Sequence, residues 1–258
     1  MLNASLFSSF LKHVQFSFCL GYTTISIIGL NIVRFLPHYI FQRIFYFLIC
    51  GFNACMNNKV STYGNLENIK QQNCIYICNH YDGLDFSLIV ELITCPGFNT
   101  TYTISKSDLV LPLKYGKFAD IINTSFMNAS NLIPYNKGNK ESGINVLQNV
   151  KDKFNTNKHI NILLFPEGES RKNGISVKFK PGIFKFAEQH NIPIIPITIY
   201  YKSFIGVNKG EFPKLLSWFN NEVKVFIHDK ILPQDYNIML KQSFDLISST
   251  HSKIREMN

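Results

Sequence analysis

From residue 74 to the C-terminal end, short runs of β-branched and aromatic residues alternate with stretches that carry apolar residues at helical spacing. That alternation is the tightest constraint on the fold. Strands separated by helices are joined by crossovers, and crossovers set neighbouring strands parallel. Residues 74–78, 100–104, 160–165, 194–201 and 223–228 read as strands. Residues 86–93, 142–154 and 183–189, and a stretch within 242–256, read as helices. The expectation is a single α/β domain with a mostly parallel or mixed sheet flanked by helices. A functional site belongs in the loops that leave the strands.

The chain changes character near residue 60. Residues 1–66 hold no Asp or Glu, and their only formal charges are Lys12, Arg34, Arg43 and Lys59. Residues 14–33 form a 20-residue stretch without a charge, close to the ~20 residues a helix needs to cross a hydrocarbon core. Residues 35–52 are also apolar but are broken by Pro37, His38, Gln42 and Arg43. That pattern suits a helix in the membrane interface or the second arm of a re-entrant hairpin. A cleaved signal peptide fits poorly, because the apolar run is long and no clear small-residue cleavage site follows it. A buried core helix would require a small domain to hide two aromatic-rich stretches in series. The expectation is a membrane-associated helical segment over residues 1–58, then the α/β domain over 59–258. Residues 56–72, rich in Asn, Ser and Gly, read as the linker. Spanning the bilayer and lying in its interface both stay open, since Thr23, Thr24, Ser26 and Asn31 dilute the apolar run.

Charge narrows the choice of partner. The chain carries 26 Lys and Arg against 17 Asp and Glu, a net charge of +9. This suits nucleic acid, a phosphorylated substrate or an anionic membrane surface. Nucleic acid would leave the apolar first 55 residues unexplained, and no recognisable binding module is present, so that partner is set aside. Residues 137–185 concentrate the excess, with ten Lys and Arg against four Asp and Glu. The six cysteines (Cys19, Cys50, Cys55, Cys74, Cys78 and Cys95) show no CxxC pair and no zinc-finger spacing. Cys74 and Cys78 read as core residues on one face of a strand. A reducing compartment and no metal site are the expectation.

One polar cluster follows the first of these strands directly: Asn79-His80-Tyr81-Asp82-Gly83-Leu84-Asp85-Phe86. A carboxylate five residues after a histidine, at a helix start, can hold one imidazole nitrogen protonated and leave the other free to accept a proton. A simpler reading makes Asp85 a helix cap favoured by the dipole. Eighty residues further on, the apolar strand 160–165 runs into Phe165-Pro166-Glu167-Gly168-Glu169-Ser170-Arg171-Lys172. A Pro-Gly turn with carboxylates and two cations at a strand end is suited to a charged ligand. Ile192-Pro193-Ile194-Ile195-Pro196 opens a further strand, and its role reads as structural.

Taken together, these residues resemble the glycerolipid acyltransferase family, the 1-acylglycerol-3-phosphate O-acyltransferases and their lysophospholipid-acylating relatives. Asn79-His80 through Asp85 matches the family's His-x4-Asp block, Phe165 to Gly168 its Phe-Pro-Glu-Gly block, and Ile192 to Pro196 its last Pro-containing strand. Ile133-Pro134-Tyr135-Asn136-Lys137 sits where the family has an apolar run ending in a basic residue, and Phe179-Lys180-Pro181-Gly182 looks like its Lys-x-Gly segment. The blocks keep the family's order over residues 74–201. Two positions depart from the pattern. Arg171 is displaced by one place, and Lys137 stands for the usual arginine, which removes a bidentate phosphate fork.

The resemblance implies acyl transfer from acyl-CoA, or from an acyl carrier protein, to the free hydroxyl of a lysophospholipid, with 1-acylglycerol-3-phosphate as first expectation. Other acceptors (lysophosphatidylcholine, lysocardiolipin or glycerol-3-phosphate) and a silent lipid-binding relative remain open. It further implies His80 as general base with Asp85 behind it, and Glu167, Gly168, Arg171, Lys137 and Lys180 as substrate-binding residues. Main-chain N–H groups near Gly168 would meet the oxyanion. No cofactor beyond the acyl donor is implied. The enzyme would sit on an intracellular membrane, such as the endoplasmic reticulum of a eukaryote, with its catalytic domain facing the cytoplasm.

Overall fold

The computed structural model describes residues 14, 21–22, 38–70, 73–81, 84–94, 100–106, 131–136, 139–156, 159–170, 174, 178–202 and 219–257. Within them the strands are β1 (Lys59–Gly64), β2 (Cys74–Cys78), β3 (Thr100–Lys106), β4 (Leu132–Tyr135), β5 (Ile160–Leu164), β6 (Ile194–Tyr201) and β7 (Glu222–Ile227). The helices are α1 (His38–Met56), α2 (Leu84–Ile93), α3 (Lys140–Thr156), α4 (Gly182–Gln189) and α5 (Tyr236–Glu256), with a short 3₁₀ turn at Leu66–Lys70. All seven strands join one sheet in the order β1-β7-β6-β2-β5-β3-β4. Every neighbouring pair is parallel except β6 with β7, so the expected α/β domain with a mostly parallel, mixed sheet is what forms.

The three central strands explain why the sheet is covered on both faces. Every residue of β2, β5 and β6 is buried, the pattern of strands packed on two sides rather than one. Alternation then sorts the side chains. Cys74, Tyr76 and Cys78 point to the face covered by α1 and α2, with Phe45, Ile49 and Ile89. Ile75 and Ile77 point to the opposite face, against Val150 of α3, Phe184 of α4 and Met239 of α5. Cys74 and Cys78 are free thiols in that core, on one face as their spacing suggests.

The edges of the sheet depart from the sequence reading. Residues 59–70, read as linker, contain edge strand β1 and the 3₁₀ turn. β1 is mostly exposed and polar, so no apolar alternation marks it. Its support is main-chain pairing with β7, starting where the Lys59 N–H donates to the Asn221 carbonyl at 2.8 Å. It ends at Gly64, whose φ of +87° brings the backbone so close to the Ile227 carbonyl that a Cβ would collide with it. At the other edge β4 is short and carries an exposed Pro134, tolerable where one strand side is unpaired. Helix α5 starts at Tyr236, ahead of the stretch within 242–256 expected from the sequence, where Asp235 caps it by accepting from the Asn237 and Ile238 N–H groups at 2.9 and 3.3 Å.

Helix α1 begins in the second apolar stretch of the N-terminal region, runs four residues past it and docks on α2. Phe45 and Ile49 enter the core, while Asn53 Nδ2 donates to the Ser87 carbonyl at 3.0 Å and Ser87 Oγ donates to Asn53 Oδ1 at 2.8 Å. Phe47 on the same helix is 80% exposed. Among the described residues no helix is long and apolar enough to cross a membrane. The charge-free stretch 14–33 lies outside the described residues except for Val14, Gly21 and Tyr22.

One buried histidine sets a pH limit on this fold. His228 follows β7, its Nε2 lies 2.8 Å from Thr198 Oγ1, and its carbonyl accepts from Asn68 Nδ2 at 2.8 Å. Burial pushes its pKa down to about 4, with only partial opposition from the Asp229 charge. In the unfolded chain the imidazole titrates near ~6.5. Between these values the unfolded chain binds the extra proton, so stability is intact above about pH 6.5 and declines toward pH 4. Urea midpoints taken across this window should fall for the wild type. His228→Gln, which cannot titrate there, should lose less, by roughly 2–4 kcal/mol.

Candidate active site

Parallel pairing of β2 with β5 aligns Ile77 with Leu164, so the segments that follow leave the sheet side by side. One begins with Asn79 and His80, the other with Phe165-Pro166-Glu167-Gly168. Asn79 prolongs β2 with its side chain rather than its backbone. Its Oδ1 accepts the Ile199 N–H at 2.8 Å, and its Nδ2 donates to the Ile199 and Gly174 carbonyls at 2.9 and 2.8 Å. Buried at 1% exposure, this clamp fixes the point from which His80 departs.

His80 Nδ1 lies 2.9 Å from Asp85 Oδ2. The carboxylate belongs to the first turn of α2 and is fully buried, whereas the His80 side chain is 20% exposed. The same Oδ2 accepts the Tyr81 N–H at 2.5 Å, so Asp85 turns back to hold the end of β2. The His80 ring stacks on Phe165, centroids 4.2 Å apart and 21° between planes. With Nδ1–H donated to the carboxylate, Nε2 keeps a free lone pair. Such a pair can take a proton from a hydroxyl, and the carboxylate then stabilises the imidazolium.

The β5 turn supplies the other wall. Gly168 N–H donates to the Phe165 carbonyl at 3.0 Å, closing a turn whose second residue is Pro166. That N–H is therefore committed to the turn. Glu167 is buried, and its Oε1 accepts the His80 N–H at 3.3 Å, tying the two strand ends together. Lys180 joins them from the segment before α4. Its N–H donates to the Pro166 carbonyl at 2.9 Å, and its side chain passes Gly168 so closely that a Cβ there would collide with it. The φ of +70° favours glycine at 168, and the absence of a Cβ leaves the Lys180 side chain room to lie against it. Lys180 Nζ also stands 5.9 Å from the Tyr135 ring centroid, above the end of β4. The structure thus brings His80, Asp85, Glu167, Gly168 and Lys180 into one neighbourhood. Lys137 and Arg171 lie outside the described residues.

Cys78, two residues before His80, is buried, and burial holds its thiol well above the usual range, with the Asp85 and Glu167 charges adding to the effect. It is a packed thiol rather than a thiolate nucleophile. Among the described residues no group of three or more His, Cys, Asp or Glu side chains is placed to hold a metal ion. The sequence reading assigned no part to Asn79, Tyr81 or Gly174. For Asn79 a signal existed: an amide ending a strand of wholly apolar residues must find partners for three polar groups.

Comparison with known proteins agrees with this architecture. The acyltransferase family model matches residues 60–200, more than half of the chain. A 1-acyl-sn-glycerol-3-phosphate acyltransferase of Cocos nucifera is 30% identical over 125 residues, which cover 48% of this chain and 36% of that protein. A chloroplastic 1-acyl-sn-glycerol-3-phosphate acyltransferase, BAT2, of Brassica napus is 24% identical over 188 residues, covering 72% of this chain and 49% of its own length. The chain thus spans half or less of these curated relatives. The crystal structure of PlsC, the 1-acyl-sn-glycerophosphate acyltransferase of Thermotoga maritima, superposes with a TM-score of 0.69 at 18% identity, over 96% of this chain and 98% of that one, and shares its fold. From the family match and the ordered motifs on this sheet, the chain belongs to the glycerolipid acyltransferase family.

Proposed function

We propose that this protein transfers a fatty acyl group from acyl-CoA, or from an acyl carrier protein, to the free hydroxyl of 1-acylglycerol-3-phosphate, giving phosphatidic acid. The observation that carries the reading is the His80–Asp85 pair, 2.9 Å apart at the carboxyl edge of the sheet and open to solvent on the histidine side only. His80 Nε2 takes the hydroxyl proton while the oxygen attacks the thioester carbonyl. The tetrahedral intermediate collapses, the thiolate leaves, and it recovers the proton from His80. Asp85 keeps the imidazole in the productive tautomer and stabilises its charged form. No acyl-enzyme is required, in keeping with the buried, protonated Cys78.

Lys180, held against Gly168 in the β5 turn, binds the acceptor phosphate. Arg171 and Lys137 complete the phosphate site in this reading on the strength of their places in the motifs. Glu167 orders the turn at Phe165–Gly168 by accepting the His80 N–H. Residues 1–58 attach the enzyme to an intracellular membrane, with the catalytic domain over 59–258 on the cytoplasmic side. The exposed Phe47 on α1 supports that assignment.

The decisive experiment is a panel of lysophospholipid acceptors and glycerol-3-phosphate with labelled acyl-CoA on the detergent-solubilised full chain. Lysophosphatidate should be the preferred acceptor, and His80→Ala should lower kcat by about 10²- to 10⁴-fold; transfer that survives this change unaltered defeats the mechanism. Lys180→Ala should raise KM for a phosphate-bearing acceptor roughly tenfold with a smaller change in kcat. Phe47→Asp should weaken co-sedimentation with anionic liposomes, and equal binding by both forms would remove α1 from the membrane contact.

A further inference from the structure

Beyond the family's motifs, the buried end of the C-terminal helix touches the loop that carries the base. His251 on α5 is 1% exposed and Tyr81 is 3% exposed. Tyr81 O–H and His251 Nε2 form a short hydrogen bond between residues 170 positions apart in sequence. Tyr81 is also the residue whose N–H holds Asp85 Oδ2 at 2.5 Å, the oxygen that faces His80. A single residue therefore links the C-terminal helix to the carboxylate of the base.

Direction can be assigned along this link. Burial raises the Tyr81 phenol pKa, so the phenol keeps its proton and can donate it. The acceptor must then be an unprotonated imidazole nitrogen. Burial lowers the His251 pKa to about 4, and the Arg255 charge lowers it further, so the ring is neutral at physiological pH. Its proton sits on Nδ1, a buried atom with no hydrogen-bond partner among the described residues. Other neighbours restrict movement of both rings. Tyr201 packs edge-on against Tyr81 with centroids 5.2 Å apart, and Tyr200 does the same to His251 at 5.4 Å. Gly174 lies so close to the Tyr81 ring that any Cβ would strike it.

We propose that His251 is a positioning residue for the His80–Asp85 pair: by accepting the Tyr81 O–H, it holds the main-chain N–H that fixes the Asp85 carboxylate. This rests on the reading of His80 as general base. A freed Tyr81 would let its N–H drift from Asp85, and the carboxylate would hold the His80 ring less well. Small misplacements of a base reduce turnover far more than they reduce substrate binding. His251 lies outside the segment matched by the family model, residues 60–200.

The test is steady-state acyl transfer to lysophosphatidate by the full chain. His251→Phe, which keeps a ring but no acceptor, should lower kcat roughly 10- to 100-fold while KM for both substrates stays within about twofold. His251→Gln, which restores an acceptor, should recover kcat to within about threefold of wild type. Tyr81→Phe cuts the same bond from the other side, and the double Tyr81→Phe/His251→Phe variant should be no slower than the worse single one. Ile247→Val, a buried change on the same helix without contact to Tyr81, should lower the melting temperature and leave kcat intact. If His251→Phe does not fold, Tyr81→Phe and His251→Gln decide the matter. Wild-type kcat in His251→Phe or Tyr81→Phe, or a His251→Gln as slow as Phe, overturns the inference alone. A wild type whose transfer does not depend on His80 overturns the base and this inference together.

Discussion

The parallel register of β2 with β5 is the constraint on which the site depends. Two buried strands, aligned at Ile77 and Leu164, release His80 and Glu167 at the same height although 87 residues separate them in sequence. A slip of one residue would turn every side chain of either strand to the opposite face, so the register is held by both cores at once. The turn at Phe165–Gly168 inherits its position from that register. Its glycine, its proline and the Lys180 segment lying across it then shape the space beside the imidazole.

Electrostatics at this edge are arranged around two buried carboxylates, Asp85 and Glu167. Asp85 is kept out of solvent while its Oδ2 accepts from two donors, the Tyr81 N–H and the His80 ring. A buried charge with such partners is stable only while both stay in place. The surrounding structure accordingly concentrates on holding the strand end: Asn79 is clamped to β6, Glu167 grips the His80 N–H, and Phe165 lies flat on the ring. These contacts come from β6 and from the segment that follows β5, both remote in sequence. A local motif is thus made rigid by non-local packing.

The same contrast explains what could be read before any coordinates. Runs such as 74–78 and 160–164, apolar but for Asn161, are recognisable because a strand buried on both faces has little polar alternation to confuse. Strand β1 escaped because its residues are polar and exposed, and only its backbone belongs to the sheet. β4 escaped for a related reason, being four residues long with a proline at its exposed edge. Helix α5 was found but shortened: its first turn starts at the Asp235 cap, and Tyr236, Met239 and Leu240 carry its apolar stripe back to that point.

By itself the sequence determined the α/β class, the central strands and the two motif loops, because burial pattern and residue spacing are local properties of a chain. It also placed His80 five residues from Asp85, which suffices for contact once a strand ends and a helix begins between them. Only the tertiary structure decided that Glu167 reaches the His80 backbone, that the Gly168 N–H is consumed by its own turn, and that His251 holds Tyr81 from the far end of the chain. Those facts depend on which strands become neighbours and on how closely buried rings pack. Long-range pairing of that kind leaves no periodic trace in the residues that take part in it.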